Sequence, residues 1–284
     1  MNLVEYLARA TEYLDRHGIS SPRLNAELLL CHQLGITRLE IYTNFDKPLA
    51  EADAGAYRRM LLERAGGRPL QLITGETCFR GLTLEVRPGV FIPRPETEVL
   101  VEAALEVLPV EGAGLRVLDL GSGCGNVALS IASERYEAEV TTVEVDQGAV
   151  ELTRANIEKT GLAGRVTAIA GDLFEPLAPD ALFDLIISNP PYVPEGMRES
   201  LPAEVADFEP AAALFAGPEG LDVITRIVEG APARLAPGGW LALEVDESHA
   251  SSVGSTLESQ GWAEVDVLQD LAGRQRVARA RRRD

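Results

Sequence analysis

Along the first 65 residues, apolar positions recur at intervals of three and four. Leu3, Val4, Leu7, Thr11 and Leu14 fall on one face of a helix over 3–17 that Gly18 ends. Ser21 and Pro22 make a second helix start, with the hydroxyl as cap and the proline at the first helical position, where no amide hydrogen is needed. Leu24, Leu28, Leu29 and Cys31 supply its apolar side before Gly35. Thr37-Arg38-Leu39-Glu40 has the spacing of a capping box, and 49–65 predicts a further helix before Gly66-Gly67. Between Leu70 and Ile92 the period changes to two. Thr77, Phe79, Leu82, Leu84 and Val86 flank Arg80-Gly81, which predicts a hairpin with a tight glycine-containing turn.

After the hairpin, the prolines of Phe91-Ile92-Pro93-Arg94-Pro95-Glu96-Thr97-Glu98 fix an extended loop. It leads into a helix through Leu100, Ala103, Ala104, Val107 and Leu108. From Leu115 onward strands and helices alternate. Apolar strands are expected at 115–118, 140–145, 166–170, 182–188 and 240–245, with helical patterns at 127–134, 149–160, 221–235 and 248–260 between them. That alternation predicts a mostly parallel sheet with helices on both faces. The stretches 263–268 and 276–280 are too close together for a crossover helix, so they are expected as an antiparallel pair at the sheet edge. The chain therefore divides into a helical domain over 1–68, a β-hairpin linker over 69–92 and an α/β domain over 93–284.

Composition narrows the classes of function. Hydrophobic residues at 46% and charged residues at 25% are those of an ordinary globular protein. No apolar run approaches the roughly 18–20 residues that span a bilayer. Glu5, Arg9 and Glu12 interrupt the amino terminus too often for a secretory signal, so a cytoplasmic protein with no membrane partner is expected. Cys31, Cys78 and Cys124 are odd in number and form no C-x-x-C pair, and His17, His32 and His249 are scattered; neither disulfides nor a metal site are expected. The net charge is -18, and all of the excess acid lies in 76–284, where 35 acidic residues face 17 basic ones. Direct binding of nucleic acid is disfavoured, because phosphates need clusters of Lys and Arg, whereas a basic protein suits such a surface. The closing run Arg274, Arg276, Arg279, Arg281, Arg282 and Arg283 is the local exception, expected as a solvated, frayed tail.

The chemistry gathers at predicted strand ends. Asp119-Leu120-Gly121-Ser122-Gly123-Cys124-Gly125 follows the first strand of the α/β domain and opens a helix, so its glycines let a ligand approach the backbone. A dinucleotide site shares this pattern. A carboxylate at Asp119 would repel a pyrophosphate yet attract a cationic sulfonium or ammonium, which favours S-adenosylmethionine over a nicotinamide cofactor. Glu144 ends the next strand, 25 residues on, where an acid accepts hydrogen bonds from ribose hydroxyls. Asp172 follows the third strand and is expected to accept from an adenine amino group, with Leu173 against the ring.

Asn189-Pro190-Pro191-Tyr192 ends the fourth strand, Phe183 to Ser188 in its apolar part. Two prolines stop a sheet ladder, which places this tetrad at the carboxyl edge where open α/β sheets bind ligands. At average composition it arises by chance about once in a thousand chains of this length.

Glycine loop and tetrad together resemble the class I, Rossmann-like methyltransferases that methylate planar amino or amide nitrogens. Further motifs narrow the resemblance to the HemK-like enzymes: Pro69-Leu70-Gln71-Leu72-Ile73-Thr74-Gly75, the 91–98 loop, Phe208-Glu209-Pro210, Leu214-Phe215-Ala216-Gly217, Gly220-Leu221-Asp222 and Asp270-Leu271-Ala272-Gly273. That family transfers methyl from S-adenosylmethionine, leaving S-adenosylhomocysteine, to the glutamine of the Gly-Gly-Gln motif in peptide chain release factors. Its helical amino-terminal domain helps dock the release factor. The resemblance implies that Asp119, Gly121, Ser122, Gly123, Cys124, Gly125, Glu144, Asp172, Leu173 and Asn189 hold the cofactor. It also implies that Asn189, Pro190, Pro191 and Tyr192, with Phe91 and Arg94, bind the substrate, and that Asn189, Pro190 and Tyr192 carry catalysis. Two departures stand out. Glu144 occupies a place where Asp is usual, and Glu244-Val245-Asp246 stands where Glu-x-Gly is usual. Competing readings are methylation of a ribosomal-protein glutamine or a nucleic-acid base, a non-catalytic S-adenosylmethionine-binding partner protein, and a dehydrogenase.

Overall fold

The computed structural model describes residues 1–109 and 114–283. These fall into two compact units, Met1–Glu76 with Pro202–Phe208, and Thr77–Leu201 with Glu209–Asp284. The first holds helices α1 (Leu3–Arg16), α2 (Pro22–Leu34), α3 (Arg38–Thr43), α4 (Glu51–Ala65) and α5 (Leu70–Thr74). The hairpin strands β1 (Glu76–Phe79) and β2 (Leu82–Glu85) follow, then α6 (Thr97–Val107), β3 (Leu115–Leu120), α7 (Asn126–Glu134), β4 (Ala138–Glu144), α8 (Gln147–Thr160), β5 (Val166–Ala170) and β6 (Phe183–Ser188). A short α9 (Ala203–Ala206) belongs to the first unit, and α10 (Asp222–Gly230), β7 (Leu235–Glu244), α11 (Glu247–Ser259), β8 (Ala263–Gln269) and β9 (Gln275–Arg281) complete the second.

The helical unit corrects several sequence expectations. Leu3, Leu7, Ala10 and Leu14 form the buried face of α1, while Val4 is exposed. Ser21 adopts a left-handed conformation (φ 49°) and makes no side-chain cap; the Asn25 amide instead donates to the Ser20 and Ser21 carbonyls at 3.0 and 3.1 Å. The inward side of α2 is Asn25, Ala26, Glu27, Leu29 and Leu30. Glu27 tolerates burial because Arg23, Arg38 and Tyr42 all donate to it. The Thr37–Glu40 capping box forms as expected. Residues 70–74 make one helical turn rather than a strand, closed by Gly75 at φ 76° with its amide bonded to Gln71. In the hairpin, Arg80 and Gly81 both have positive φ, as a two-residue turn between twisted strands requires.

The seven-stranded sheet runs in the order β5-β4-β3-β6-β7-β9-β8. Strands β3 to β7 pair in parallel, and β9 pairs antiparallel with both β7 and β8. The strands are apolar on both sides because both faces are covered. Val117, Leu185 and Ile187 join α6, α7 and α8 in one core, and Leu118, Ile186, Leu241 and Leu243 join α10 and α11 in the other. The arginine-rich end is not frayed. Arg276, Arg279 and Arg281 lie on β9 and meet Asp246 and Asp270, Glu106 and Asp266, and Glu264 respectively. Among the described residues, no helix is long and apolar enough to cross a membrane.

Candidate active site

Strand order reverses beside β3: β4 and β5 lie on one side of it, β6 and β7 on the other. A crevice opens at the carboxyl ends of strands around such a reversal. The glycine loop leaves β3 there and the tetrad leaves β6. The two are stitched together by Ser188 Oγ, which donates to the Leu120 carbonyl at 2.6 Å. A Cβ added at Gly121 would lie 4.0 Å from the Asn189 carbonyl oxygen, so the two backbones run side by side.

Within the loop, backbone and side chains have different tasks. Gly121 (φ 81°), Gly123 (φ 54°) and Gly125 (φ 87°) hold left-handed turns, and space is open around Gly123. At Gly125 a Cβ would come within 3.1 Å of Thr153 and 3.2 Å of Leu129, so that glycine serves helix packing. Ser122 and Cys124 are buried. The Ser122 hydroxyl lies 3.0 Å from that of Thr153, and burial pushes the Cys124 thiol up to about 12. Their side chains thus face the protein, leaving only their backbone for a ligand. Asn156, fully buried on α8, ties this loop to the hairpin: its amide donates to the Cys124 carbonyl at 2.9 Å and the Glu85 carbonyl at 3.0 Å.

Asp119 lies beneath the loop, 1% exposed. Oδ2 accepts from Thr142 at 3.0 Å, while Oδ1 is buried without a hydrogen-bond partner. Burial, opposed by the Thr142 bond and reinforced by the nearby Glu144 charge, lifts its carboxyl to about 7. An acid raised in the folded state gives stability that is full below its unfolded value, near 4, and lost as pH rises through 7. Asp119→Asn removes that loss. Its gain in urea midpoint over wild type is expected to be larger at pH 8 than at pH 4.5, and equal gains at both would refute the assignment.

Glu144 spans the loop from β4. Its two carboxylate oxygens accept from Gly123 N at 3.0 Å and Asp146 N at 2.9 Å. Each oxygen keeps lone-pair capacity for a further donor such as a ribose hydroxyl. Asp172 lies just beyond β5, but Arg226 already donates to its Oδ2 at 2.7 Å, leaving Oδ1 for any further donor. Leu173 is held at φ 46° and packs on the second core.

On the tetrad, Asn189 Nδ2 donates to Thr97 Oγ1 at 3.1 Å. Thr97 opens α6 and is fully buried. Pro190 is buried, Pro191 and Tyr192 half-buried. Tyr192 reaches Glu244 with its hydroxyl, 3.4 Å from Oε1, and packs its ring on the second core. Burial and that neighbouring carboxylate raise its hydroxyl well above the ordinary tyrosine range. The exit from the tetrad is strapped down: Val193 donates to Leu214 at 2.8 Å and Ala216 donates to Val193 at 3.1 Å. Arg94 is paired with buried Glu209 and sits 5.2 Å over the Phe91 ring, so its charge is already matched by the protein. Thr97, Glu244 and Gly220 fall within motifs singled out along the sequence without being expected as site residues; Gly220 sits against the tetrad, where an added Cβ would lie 2.3 Å from the Tyr192 carbonyl oxygen.

A parallel sheet with this reversal, a glycine loop over a buried acid and an acid closing the neighbouring strand fit a class I methyltransferase. Residues 81–206 match the family model described as methyltransferase small domain, and 5–75 match the PrmC N-terminal domain. The release factor glutamine methyltransferase of Geobacter sulfurreducens is 43% identical over 269 residues, 95% of this chain and 93% of its own. That of Deinococcus radiodurans is 40% identical over 285 residues, 99% of each. The chain belongs to the release factor glutamine methyltransferase family. Among solved structures, the T. thermophilus 16S rRNA N2 G1207 methyltransferase in complex with AdoMet and guanosine aligns with a TM-score of 0.55 and 28% identity, over 73% of this chain and 50% of that one.

S-adenosylmethionine fits the residues present. The unpartnered Oδ1 of Asp119, the spare lone pairs of Glu144 and the open backbone at Gly123 suit its charged and hydroxyl-bearing groups.

Proposed function

We propose that this protein transfers a methyl group from S-adenosylmethionine to the side-chain amide nitrogen (N5) of the glutamine in the Gly-Gly-Gln motif of peptide chain release factors. The observation that carries the site assignment is the Asn189 amide, whose nitrogen is engaged by Thr97 so that its oxygen is left for a ligand. Near-full-length identity with release factor glutamine methyltransferases supports the substrate.

An amide nitrogen is a poor nucleophile, because its lone pair is delocalised into the carbonyl. The bound cofactor supplies an electrophilic methyl group on a positively charged sulfur. Asn189 Oδ1 and the Pro190 carbonyl accept the two hydrogens of the substrate amide and turn its nitrogen toward that methyl for in-line transfer. Both acceptors strengthen as positive charge develops on the nitrogen, and this differential binding accelerates the step. The surplus proton leaves that cationic nitrogen afterwards, so no strong base has to act first. Tyr192 and Pro191 pack beside the amide plane, and Phe91 with Arg94 forms the opposite wall. Gly121, Gly123 and Glu144 hold the cofactor, with Gly125 packing the helix start behind them, Asp119 beneath, and Asp172 and Leu173 toward its adenine. The substrate acts as a protein, and the acid-rich 76–284 region suits a basic one.

Incubation with a release factor and S-adenosylmethionine, followed by peptide mapping, is expected to give a single added methyl on the Gly-Gly-Gln glutamine. An unmodified glutamine, or a methyl placed only on ribosomal protein, would refute this function.

A further inference from the structure

One face of α8 holds the glycine loop from behind. Thr153 and Asn156 stand three positions apart on that helix, both fully buried. The Thr153 hydroxyl donates to the Gly123 carbonyl at 3.0 Å and lies 3.0 Å from the Ser122 hydroxyl. It has one proton to give and the carbonyl can only accept, so Ser122 is the donor to Thr153. The Thr153 methyl carbon is also the nearest atom to a Cβ added at Gly125, at 3.1 Å. Asn156 Nδ2 donates to the Cys124 carbonyl at 2.9 Å. With Glu144 accepting from Gly123 N at 3.0 Å, the loop is held at Ser122, Gly123 and Cys124 in succession.

The rest of the Asn156 amide engages the hairpin. Oδ1 accepts from Glu85 N at 2.7 Å, and Nδ2 donates to the Glu85 carbonyl at 3.0 Å. The side chain thus pairs with both backbone groups of Glu85, the last residue of β2, as a residue of a neighbouring strand would. This fixes the amide's orientation, since a flipped amide would set its oxygen against two carbonyls. A glycine-rich loop is costly backbone to order, because glycine loses the most freedom when it is fixed. A loop already held in its bound shape lets a ligand bind without that cost.

We propose that Thr153 and Asn156 are positioning residues that pre-set the glycine loop for S-adenosylmethionine, with the hairpin as the loop's anchor through Asn156. This rests on the reading that the glycine loop and Glu144 hold the cofactor. Both side chains act through the loop backbone, so their effect falls on cofactor affinity and not on the rate of transfer from bound cofactor. Linkage makes the coupling reciprocal. A cofactor that fixes Cys124 also fixes Asn156, and with it the pairing to Glu85.

The test titrates the full-length protein with S-adenosylhomocysteine by calorimetry and follows hydrogen exchange of the hairpin with and without it. Thr153→Val keeps a methyl against Gly125 and removes the hydroxyl. Its Kd is expected to rise about 3–10-fold, the size of one lost hydrogen bond, with kcat at saturating cofactor within about 2-fold of wild type, and Thr153→Ser to recover most of the affinity. In the wild type, bound S-adenosylhomocysteine is expected to slow exchange of the Glu85 amide about 5-fold or more. Asn156→Asp, which keeps the acceptor for Glu85 N and loses both donors, is expected to abolish that slowing; unfolding midpoints confirm that each variant is folded. An unchanged Kd in Thr153→Val, wild-type exchange indifferent to the ligand, or slowing that persists in Asn156→Asp would overturn the pre-set loop while leaving the cofactor site in place. A wild type that binds no S-adenosylhomocysteine, or whose binding survives Glu144→Ala unchanged, overturns the reading of the cofactor site itself.

Discussion

Asn189→Ala is expected to lower kcat on a release factor by about 100- to 1000-fold, with S-adenosylmethionine still bound. The methyl-accepting nitrogen must be turned and its developing charge met at the same moment. In the proposed transfer Asn189 Oδ1 does both, whereas the Pro190 carbonyl alone would fix one hydrogen and leave the amide free to rotate. The structural cost is small by comparison. Truncation removes one donor from Thr97 Oγ1, a bond of 3.1 Å worth about 1 kcal/mol, and leaves Ser188 bonded to Leu120 and Val193 bonded to Leu214. A thermal melt near wild type, a cofactor titration and single-turnover rates separate chemistry from binding. If the variant binds cofactor and turns over near the wild-type rate, Asn189 does not orient the substrate.

Much of this site is legible along the chain because it is built from local signals. Two prolines stop β6 wherever they occur, and glycines after a strand leave room for a ligand whatever surrounds them. Parallel strands buried on both faces read as continuous apolar runs, which is why 183–188 and 115–118 stand out. Thr97 is different in kind. It lies 92 positions from Asn189, and its own neighbourhood, an extended loop leading into a helix, gives no sign of a partner at the end of β6. Its role arises from α6 docking against the sheet, which no periodicity encodes. The arginines of β9 fail for the same reason. A run of cations looks like a solvated tail until Asp246, Asp266 and Glu106 arrive from other elements to face it. In the helical unit, the 3.6-residue period shows that α1 has a buried face but assigns Val4 to it instead of Ala10, because the two lie at opposite borders of the stripe. Packing against α2 and α4 decides between them.

Gly220→Ala carries the second large effect, and it reaches the site without touching a ligand. Gly220 sits at φ 73°, and an added Cβ would lie 2.3 Å from the Tyr192 carbonyl oxygen and 3.0 Å from Pro194 N. The left-handed backbone costs an alanine about 1–2 kcal/mol, and forcing an atom into occupied space typically costs another 1–3 kcal/mol. A total loss of about 2–5 kcal/mol is expected in chemical denaturation. The obstructing atoms are backbone of the tetrad itself, so relief displaces Tyr192 and the strap between Val193 and Ala216, and kcat falls together with stability. Gly217→Ala is the matched control. It too sits at positive φ (75°), and its Cβ would meet Asp222 Oδ2 at 2.0 Å, but that atom ends a side chain that can rotate away. Only the backbone cost of about 1–2 kcal/mol is then expected, with turnover close to wild type. Equal losses of stability and turnover in the two variants would mean that the tetrad is not held in place by the approach of Gly220, and that its geometry is set by β6 and the prolines alone.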